Sequence, residues 1–591
     1  MNKYKIKLIE LLKTVNINGV SLSDIPNSWL NQKIESKIDF LNRDEKSYNF
    51  VYGLVEAPKD LKNGDFSFPC FFFAMKGVDL VKNPNEAANI IYSQILNNNI
   101  FDVSVAGPFL NFKIKESILI DEFSNYKENL DLLKNIGNNK KILIEYSSPN
   151  TNKSQHLGHL RNNLLGVSLS NIFRDCGFNV VTSCIFNDKG TAMAKTIWGY
   201  MKFGNNSEPN DIKSDKFVSE FYVKASQYEK EHPEVTEEIN EINRKWENGD
   251  VKVVAMWKKL VDWVYEGYKE TYEKLGCTFD YKYYESDIYK KGKEISQEAF
   301  KNGILKEGDS GAIVTNLEKY DLPDTIVIKS DGTSLYITQD IYLAKLRNEE
   351  ICPDKTIYIV ANEQNLHFKQ LFALLDQLHI GKRENYFHLN YGYVTLPTGR
   401  MKSREGTVVD ADDLIDSVVK EAQLIAPGQK NVAEEIGLGA VKFQFLKVDA
   451  FSDFVFDPIK SIELTGDTSV YIQYAYARIN SIFNKLNIDS LKFNNLKFKN
   501  IKLENEEINL MREILTFNDS MEKVIETYSP SFLCKKLLDI ANAYNSFYQK
   551  CRILDLENDD LKNFRLELSR ITSVYIKYGL NLLGINIVDK M

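Results

Sequence analysis

Two of the chain's six histidines fall within four residues, His156-Leu157-Gly158-His159. Before them, Ile142, Leu143 and Ile144 read as a short buried strand and residues 147–155 as a polar loop. After them, Leu160, Leu164, Leu165, Val167, Leu169, Ile172 and Phe173 carry helical spacing through residue 177. A helix that begins behind a strand offers unpaired backbone N–H groups and a partial positive charge to an anion. Gly158 has no side chain to hold a phosphate away, and the imidazoles can donate to oxygens whose charge grows during a reaction. The chemistry this suits is nucleotide phosphate chemistry. Two alternatives stay open on spacing alone: a pair of zinc ligands, which needs further ligands and finds no Cys-x-x-Cys pair, or two histidines with no role.

The elements that must position these residues follow a repeating pattern. Residues 178–186 are apolar and β-rich again, so strand, helix and strand make a β-α-β unit with a right-handed crossover. Between residues 140 and 460, strand runs at 142–146, 180–186, 325–329, 356–361 and 387–393 alternate with helices, which predicts an α/β domain built on a parallel sheet. Residues 201–287 are highly charged and helical, with Trp246, Trp257 and Trp263 as apolar anchors, and read as an insertion in that domain. Residues 461–591 show helical periodicity throughout and predict an all-α bundle. Residues 1–120 mix helix and strand patterns around turns at Gly64-Asp65 and Gly107-Pro108, an α+β domain, and the polar stretch 124–139 reads as a linker.

Composition fits such a machine. A chain of 591 residues has room for roughly four units at about 150 residues each. Its 43% apolar and 26% charged fractions are ordinary for a soluble globular protein. Glu10 and Lys13 interrupt the first apolar residues, so residues 1–20 read as an amphipathic helix rather than a signal peptide, and no apolar run approaches transmembrane length. Seven scattered cysteines without framework spacing fit reduced thiols in the cytosol. The net charge of −8 argues against a general nucleic-acid binder but leaves local basic patches available to a shaped RNA. One such cluster, Lys492, Lys497, Lys499 and Lys502, reads from charge alone as a solvated surface.

The stretch Ser147-Ser148-Pro149-Asn150-Thr151-Asn152-Lys153-Ser154-Gln155-His156-Leu157-Gly158-His159-Leu160-Arg161-Asn162 resembles the first signature of class I aminoacyl-tRNA synthetases, in the form found in the arginyl-tRNA synthetase family. The segment from Ser330 to Ile341 resembles that family's amino-acid pocket. Residues 357–368, with Glu363-Gln364 and His367-Phe368, resemble its next pocket segment. Residues 466–478 resemble the opening of its anticodon-binding domain. Asn63-Gly64-Asp65-Phe66 and the stretch Ala106 to Asn111 match its small N-terminal domain. The second signature departs from pattern: a Lys-Met-Ser-Lys-Ser loop appears as Arg400-Met401-Lys402-Ser403-Arg404, and Lys153 just upstream of the first signature is similar to the lysine that family members with a degenerate loop carry.

The resemblance implies a Rossmann-like parallel-sheet catalytic domain over 140–460 with a helical insertion about 201–287, an N-terminal tRNA-contacting domain over 1–120, and a helical anticodon-binding domain over 461–591. It implies an arginine–tRNA ligase that takes ATP, as its Mg2+ complex, and L-arginine to arginyl-adenylate and pyrophosphate, then passes arginine to the 3′ adenosine of its tRNA. His156, His159, Lys153 and Lys402 are its expected catalytic residues. Pro149, Asn150, His156, Gly158, His159 and Lys402 are expected on ATP, and Glu145, Ser148, Asn150, His159, Tyr336, Asp340 and Gln364 on arginine. Tyr471, Tyr474, Arg478 and Met591 are expected on tRNA. A guanidinium is a planar, permanently charged fork of donors, so carboxylates such as Asp340 and Glu145 suit its site; by local pattern alone Asp340 reads instead as a helix N-cap. Aromatic stripes are more often core, the role expected of Tyr476. A cytoplasmic monomer with no structural metal and no membrane partner is expected. The rival readings are another nucleotidyltransferase bearing the first signature, or a tRNA-binding paralogue that has lost activation, which the altered loop favours.

Overall fold

The computed structural model describes residues 2–22, 54–56, 58, 63–75, 78, 80–124, 134–397, 409–487, 501–554 and 556–591. In the N-terminal domain, α1 (Asn2–Lys13) and α2 (Pro84–Ile95) accompany an antiparallel sheet of β1 (Phe66–Pro69), β2 (Phe101–Ala106) and β3 (Phe109–Ile114), in the order β1-β3-β2. Gly107 turns the β2–β3 hairpin at φ 60°. Gly64, at φ 91°, lies under β3 so closely that a Cβ would stand 2.6 Å from the Phe112 carbonyl oxygen. That turn delivers Asp65 to a buried position where Oδ2 accepts from the Ile114 N–H at 2.7 Å and Oδ1 meets Arg512 Nε of the C-terminal bundle at 2.7 Å. The domain ends in α3 (Glu116–Ser124).

The central domain is a five-stranded, wholly parallel sheet of β4 (Lys141–Glu145), β5 (Asn179–Phe186), β6 (Tyr281–Tyr284), β7 (Lys355–Ala361) and β8 (Tyr386–Tyr391), ordered β8-β7-β4-β5-β6. β4 sits centrally, with Ile144 opposite Thr182 on β5 and Ile357 on β7, which is why Ile142 to Glu145 are buried without alternation. The strand order reverses direction between β4 and β7, and in such sheets ligands bind outside the strands' C-terminal ends at that reversal. Helix α4 (Leu157–Asp175) follows β4 and packs so close that a Cβ on Gly166 would fall 2.2 Å from Tyr146 Cγ.

Two features depart from the expected layout. β6 lies inside the stretch read as helical insertion; α5 (Thr191–Phe203) leads into that stretch from before residue 201, its helices α6 (Ser214–Glu231), α7 (Val235–Glu247) and α8 (Val251–Leu275) end before β6, and Gly276 at φ 80° closes α8 so that the chain re-enters the sheet. Ile326–Ile328 does not join the parallel sheet. It pairs antiparallel with Ile313–Val314, which pairs with Lys306–Glu307, because left-handed turns at Gly311 and Asp321 reverse the chain over connections too short for a parallel crossover. Helices α9 (Glu285–Lys301), α10 (Tyr336–Glu350) and α11 (Asn365–Gln377) complete the layers, and α12 (Ala411–Ala422) and α13 (Lys430–Leu446) lead to the bundle.

The bundle comprises α14 (Ser469–Leu486), α15 (Asn505–Leu515), α16 (Phe517–Thr527), α17 (Ser531–Lys550) and α18 (Asp559–Leu582). Tyr528, just after α16, stacks on Phe173 of α4 and Phe387 of β8, joining bundle and sheet. The final turn is tied back by Lys442 Nζ donating to the Gly584 carbonyl at 2.6 Å and Gln473 Nε2 to the Asn586 carbonyl at 2.8 Å. No helix among the described residues is long and apolar enough to cross a membrane. Arg512→Met leaves the Asp65 carboxylate buried without its cation, and removal of one partner of a buried pair costs about 3–5 kcal/mol. The expected outcome is an earlier thermal transition and faster proteolysis of residues 2–124, while Asp65→Asn, which keeps an acceptor for Ile114, loses less.

Candidate active site

The loop from β4 to α4 is held on every side. Ser147 and Ser148 adopt consecutive left-handed conformations, at φ 70° and 45°. That strained turn persists because the Ser147 N–H donates to Asn162 Oδ1 at 2.6 Å, its hydroxyl bonds Tyr272 OH at 2.7 Å, and Ser148 Oγ donates to Glu145 Oε1 at 3.2 Å. Beyond Pro149, the Thr151 N–H donates to the Asn187 carbonyl at the end of β5, and Asn187 N–H to the Pro149 carbonyl. Tyr268 of α8 donates to the carbonyls of Asn150 and Lys153, at 2.9 and 2.6 Å. The insertion thus helps build the loop.

His156 is the N-cap of α4. Its Nδ1 accepts from the Gly158 N–H at 3.1 Å, and His159 Nδ1 accepts from the His156 N–H at 3.2 Å, a capping box made of two imidazoles. Since both Nδ1 atoms accept, a neutral ring carries its proton on Nε2. Both rings are neutral: burial, and then the charge of Lys153, lowers His156 from 6.5 to about 3, while burial, then His156 and Lys153, holds His159 far below the usual range. The ring centroids are 4.0 Å apart, so two Nε2–H donors stand side by side at a helix N-terminus. Gly158 has a second reason to be glycine, because a Cβ there would lie 3.0 Å from His156 Cε1. Burial lowers Lys153 as well. Lys153 and His156 border a cavity of about 410 Å³ shared with Lys216 and Lys224 of α6 and with Asp410 and Asp413 at the start of α12.

On the other side of the loop, a cavity of about 550 Å³ is lined by Asn150, Asn187, Lys195, Tyr222, Glu285 and Tyr336 among others. Tyr336 opens α10 and is 73% exposed. Burial pushes the Glu285 carboxyl up to about 7, and Gln339 Nε2 donates to it at 3.0 Å. The remaining candidates for arginine divide. Glu145 is buried and paired with Arg347, whose guanidinium lies 5.0 Å from the Tyr283 ring centroid and 5.8 Å from that of Tyr358. Asp340 is not an N-cap, because α10 begins at Tyr336; it sits in the second turn, with Oδ2 at 2.8 Å from His367 Nε2 of α11. Gln364 ends a short turn after β7 and is exposed, bonded to none of the others. Lys402 lies outside the described residues, as do Lys492, Lys497 and Lys499.

Arg347, His367 and Asn162 were not singled out for a role from sequence. Arg347 carried a signal: Ile337, Ile341 and Ala344 set the buried face of α10, and an arginine continuing that face must be paired inside. In the bundle, Tyr474 and Tyr548 are 37% and 39% exposed and sandwich Arg478, whose Cζ lies 4.7 and 4.9 Å from their centroids. Arg478 Nη1 donates to Asn545 Oδ1 at 2.7 Å, and Tyr471 OH to Asn542 Oδ1 at 2.8 Å. Tyr476 is core, and Met591 packs part-buried against the bundle.

Comparison with known proteins agrees along the chain. Residues 124–458 match the family described as tRNA synthetases class I (R), catalytic domain; residues 472–591 match the DALR anticodon binding domain; residues 29–114 match the arginyl tRNA synthetase N terminal domain. An arginine–tRNA ligase of Treponema denticola is 37% identical over 564 residues, covering 91% of this chain and 94% of that one. The chain belongs to the arginyl-tRNA synthetase family. A Parabacteroides distasonis arginine–tRNA ligase is also 37% identical, over 544 residues, 86% of this chain and 91% of that one. The fold is that of the Thermus thermophilus arginyl-tRNA synthetase, with a TM-score of 0.76 at 22% identity over 96% of this chain and 100% of that one, and of the Plasmodium falciparum arginyl-tRNA synthetase, at 0.75 and 22% over 91% and 94%. Charging tRNA with arginine is the function of this family, and the chain is a ligase with ATP, arginine and tRNA as substrates.

Neutral, Nε2-protonated rings have a measurable consequence. Imidazole NMR should show His156 and His159 untitrated from about pH 8 to 5, both as the Nε2–H tautomer. A histidine whose folded value lies below its unfolded 6.5 stabilises the fold fully above 6.5, and that contribution is lost as pH falls toward about 3. Stability should therefore decline on acidification below 6.5, less steeply in His156→Asn, as read by denaturant midpoint.

Proposed function

We propose that this arginine–tRNA ligase uses His156, Gly158 and His159 to bind ATP phosphates and Asp340 to hold the guanidinium of arginine. The observation that carries the reading is the pair of Nε2–H donors on adjacent imidazoles, tilted 32° to each other at the α4 N-terminus, placed where the sheet's strand order reverses and bordering the same cavity as Lys153. In the first step, arginine's carboxylate attacks the α-phosphorus of ATP, forming the acyl-phosphate bond of arginyl-adenylate and breaking the bond to pyrophosphate. Prealigned neutral donors stabilise charge that grows on the phosphate oxygens, and the loop's many ties keep reorganisation small. Lys153 and Lys402 share neutralisation of the phosphates, and ATP enters as its Mg2+ complex. Pro149 and Asn150 shape the nucleotide's side of the loop.

Of the two carboxylates expected on arginine, Glu145 is matched by Arg347, whereas Asp340 meets His367 through one oxygen only among the described residues, so Asp340 is the one left to receive a guanidinium, with Ser148, Tyr336, Asn150 and Gln364 completing the site. The cavity containing Tyr336, Asn150 and Glu285, between sheet and insertion, suits the terminal adenosine whose ribose hydroxyl attacks the activated carbonyl and releases AMP. Residues 461–591 act as the anticodon-binding domain, with Tyr471, Tyr474, Arg478 and Met591 on tRNA and Tyr548 added to that surface; residues 1–120 contact the tRNA elsewhere. The protein acts as a cytoplasmic monomer.

Exchange of pyrophosphate into ATP, with arginine or lysine and with or without tRNA, tests the reading directly. Exchange supported by arginine alone among the two is expected; none under any condition, with tRNA still bound, makes the chain an inactive paralogue. His159→Ala should lower kcat about 10²- to 10³-fold while leaving tRNA affinity unchanged. Tyr474→Ala should weaken tRNA binding by about 1–3 kcal/mol in a filter assay without altering the KM for arginine.

A further inference from the structure

The Asp340 carboxylate has one hydrogen-bond partner among the described residues, His367. His367, the third residue of α11, lies 2.8 Å from Asp340 Oδ2 through Nε2, and because an ionised carboxylate only accepts, the ring nitrogen is the donor. The His367 ring stands edge-on to Phe368, with centroids 5.5 Å apart at 85°. Phe368 in turn stacks on His388 of β8 at 4.4 Å, and His388 Nε2 lies 3.0 Å from the Val360 carbonyl on β7. This run of rings sets the plane from which His367 donates. Asp340 Oδ1 accepts from no described residue, so one oxygen is committed and the other is open. The other carboxylate expected on arginine, Glu145, is taken up by Arg347 and Ser148, and Glu285, whose carboxyl is raised by burial and by Asp340, accepts from Gln339.

A guanidinium binds through a rigid planar fork, so its affinity depends on a carboxylate whose plane is set before the ligand arrives. We propose that His367 is a positioning residue for arginine, fixing the Asp340 carboxylate so that its free oxygen receives the substrate's guanidinium. This rests on the assignment of Asp340 to the guanidinium, and its test separates the two.

Steady-state arginylation at saturating ATP and tRNA gives kcat and the KM for arginine in wild type, His367→Ala, His367→Gln, Asp340→Asn and the Ala/Asn double variant. His367→Ala should raise KM about tenfold with kcat within about twofold, as expected for loss of one hydrogen bond to a charged group. His367→Gln, whose amide nitrogen can reach the same oxygen, should recover most of that KM. The double variant should be no worse than Asp340→Asn alone, because His367 acts only through Asp340. An unchanged KM in Asp340→Asn removes the assignment of Asp340 and this proposal with it. A raised KM in Asp340→Asn with no change in His367→Ala, a Gln variant as impaired as the Ala variant, or a fall in kcat alone, overturns the role of His367 and leaves Asp340 in place. Should His367→Ala melt early, His367→Phe, which keeps the ring volume without a donor, is read in its stead.

Discussion

The active region depends on how far α4 is drawn into the crevice between β4 and β7. Four neighbouring positions of the helix achieve it. Arg161, wholly buried, donates to the carbonyls of Gly392, Ser452 and Asp449, at 2.7 to 2.9 Å. Asn162 accepts from the Ser147 N–H beyond β4 and donates to the Ile359 carbonyl on β7 at 2.7 Å, so one amide spans the point where the strand order reverses. Asn163 holds Gln155 of the loop at 2.7 Å, and Gly166 makes room for Tyr146. Buried polar groups of this kind are costly when unpaired and define a single geometry when satisfied. The imidazoles at the helix N-terminus inherit that geometry, since the first turn of a helix cannot move independently of the second.

A comparable arrangement ties the insertion to the rest of the domain. Lys213, beside α6, meets Asp412 of α12 at 2.7 Å, Thr271 of α8 at 2.6 Å and the fully buried Asp215 at 3.2 Å, while Lys274 reaches Asp412 at 3.2 Å. Charges are thus shared among three helices in a site largely screened from salt. Together with Tyr268 and Tyr272 on the loop, these contacts make α8 part of the wall of the active site rather than a peripheral decoration.

Much of this was readable in the sequence, and the failures have physical causes. Apolar runs located β4, β5, β7 and β8 because central strands of a parallel sheet lack alternation. The run at 325–329 had the same composition yet formed an antiparallel strand, since composition does not report whether the next connection is long enough to cross over. β6 was absorbed into a charged helical stretch because it is an edge strand of four residues with two of them part-exposed. The histidines, Lys153 and Asn150 were legible as a contiguous motif. Arg347 and His367 meet partners distant in the chain, Glu145 and Asp340, which spacing does not report. Asp340 was open to reading as a cap because the start of α10 carries no capping side chain: its N-cap is Leu335.

The pairing of Asp65 with Arg512 bears on how such a protein can be inherited. The small N-terminal domain has its own sheet and helices, the usual mark of a module that recombination can move between chains. Yet its Gly64-Asp65 turn places a carboxylate inside the contact with α15, where one oxygen accepts from Ile114 of its own sheet and the other meets the guanidinium of Arg512. Grafted onto a bundle without a basic residue at that point, the domain would carry an unanswered charge into its own interface. The small domain and the bundle thus share one buried ion pair, although the whole catalytic domain lies between them in sequence.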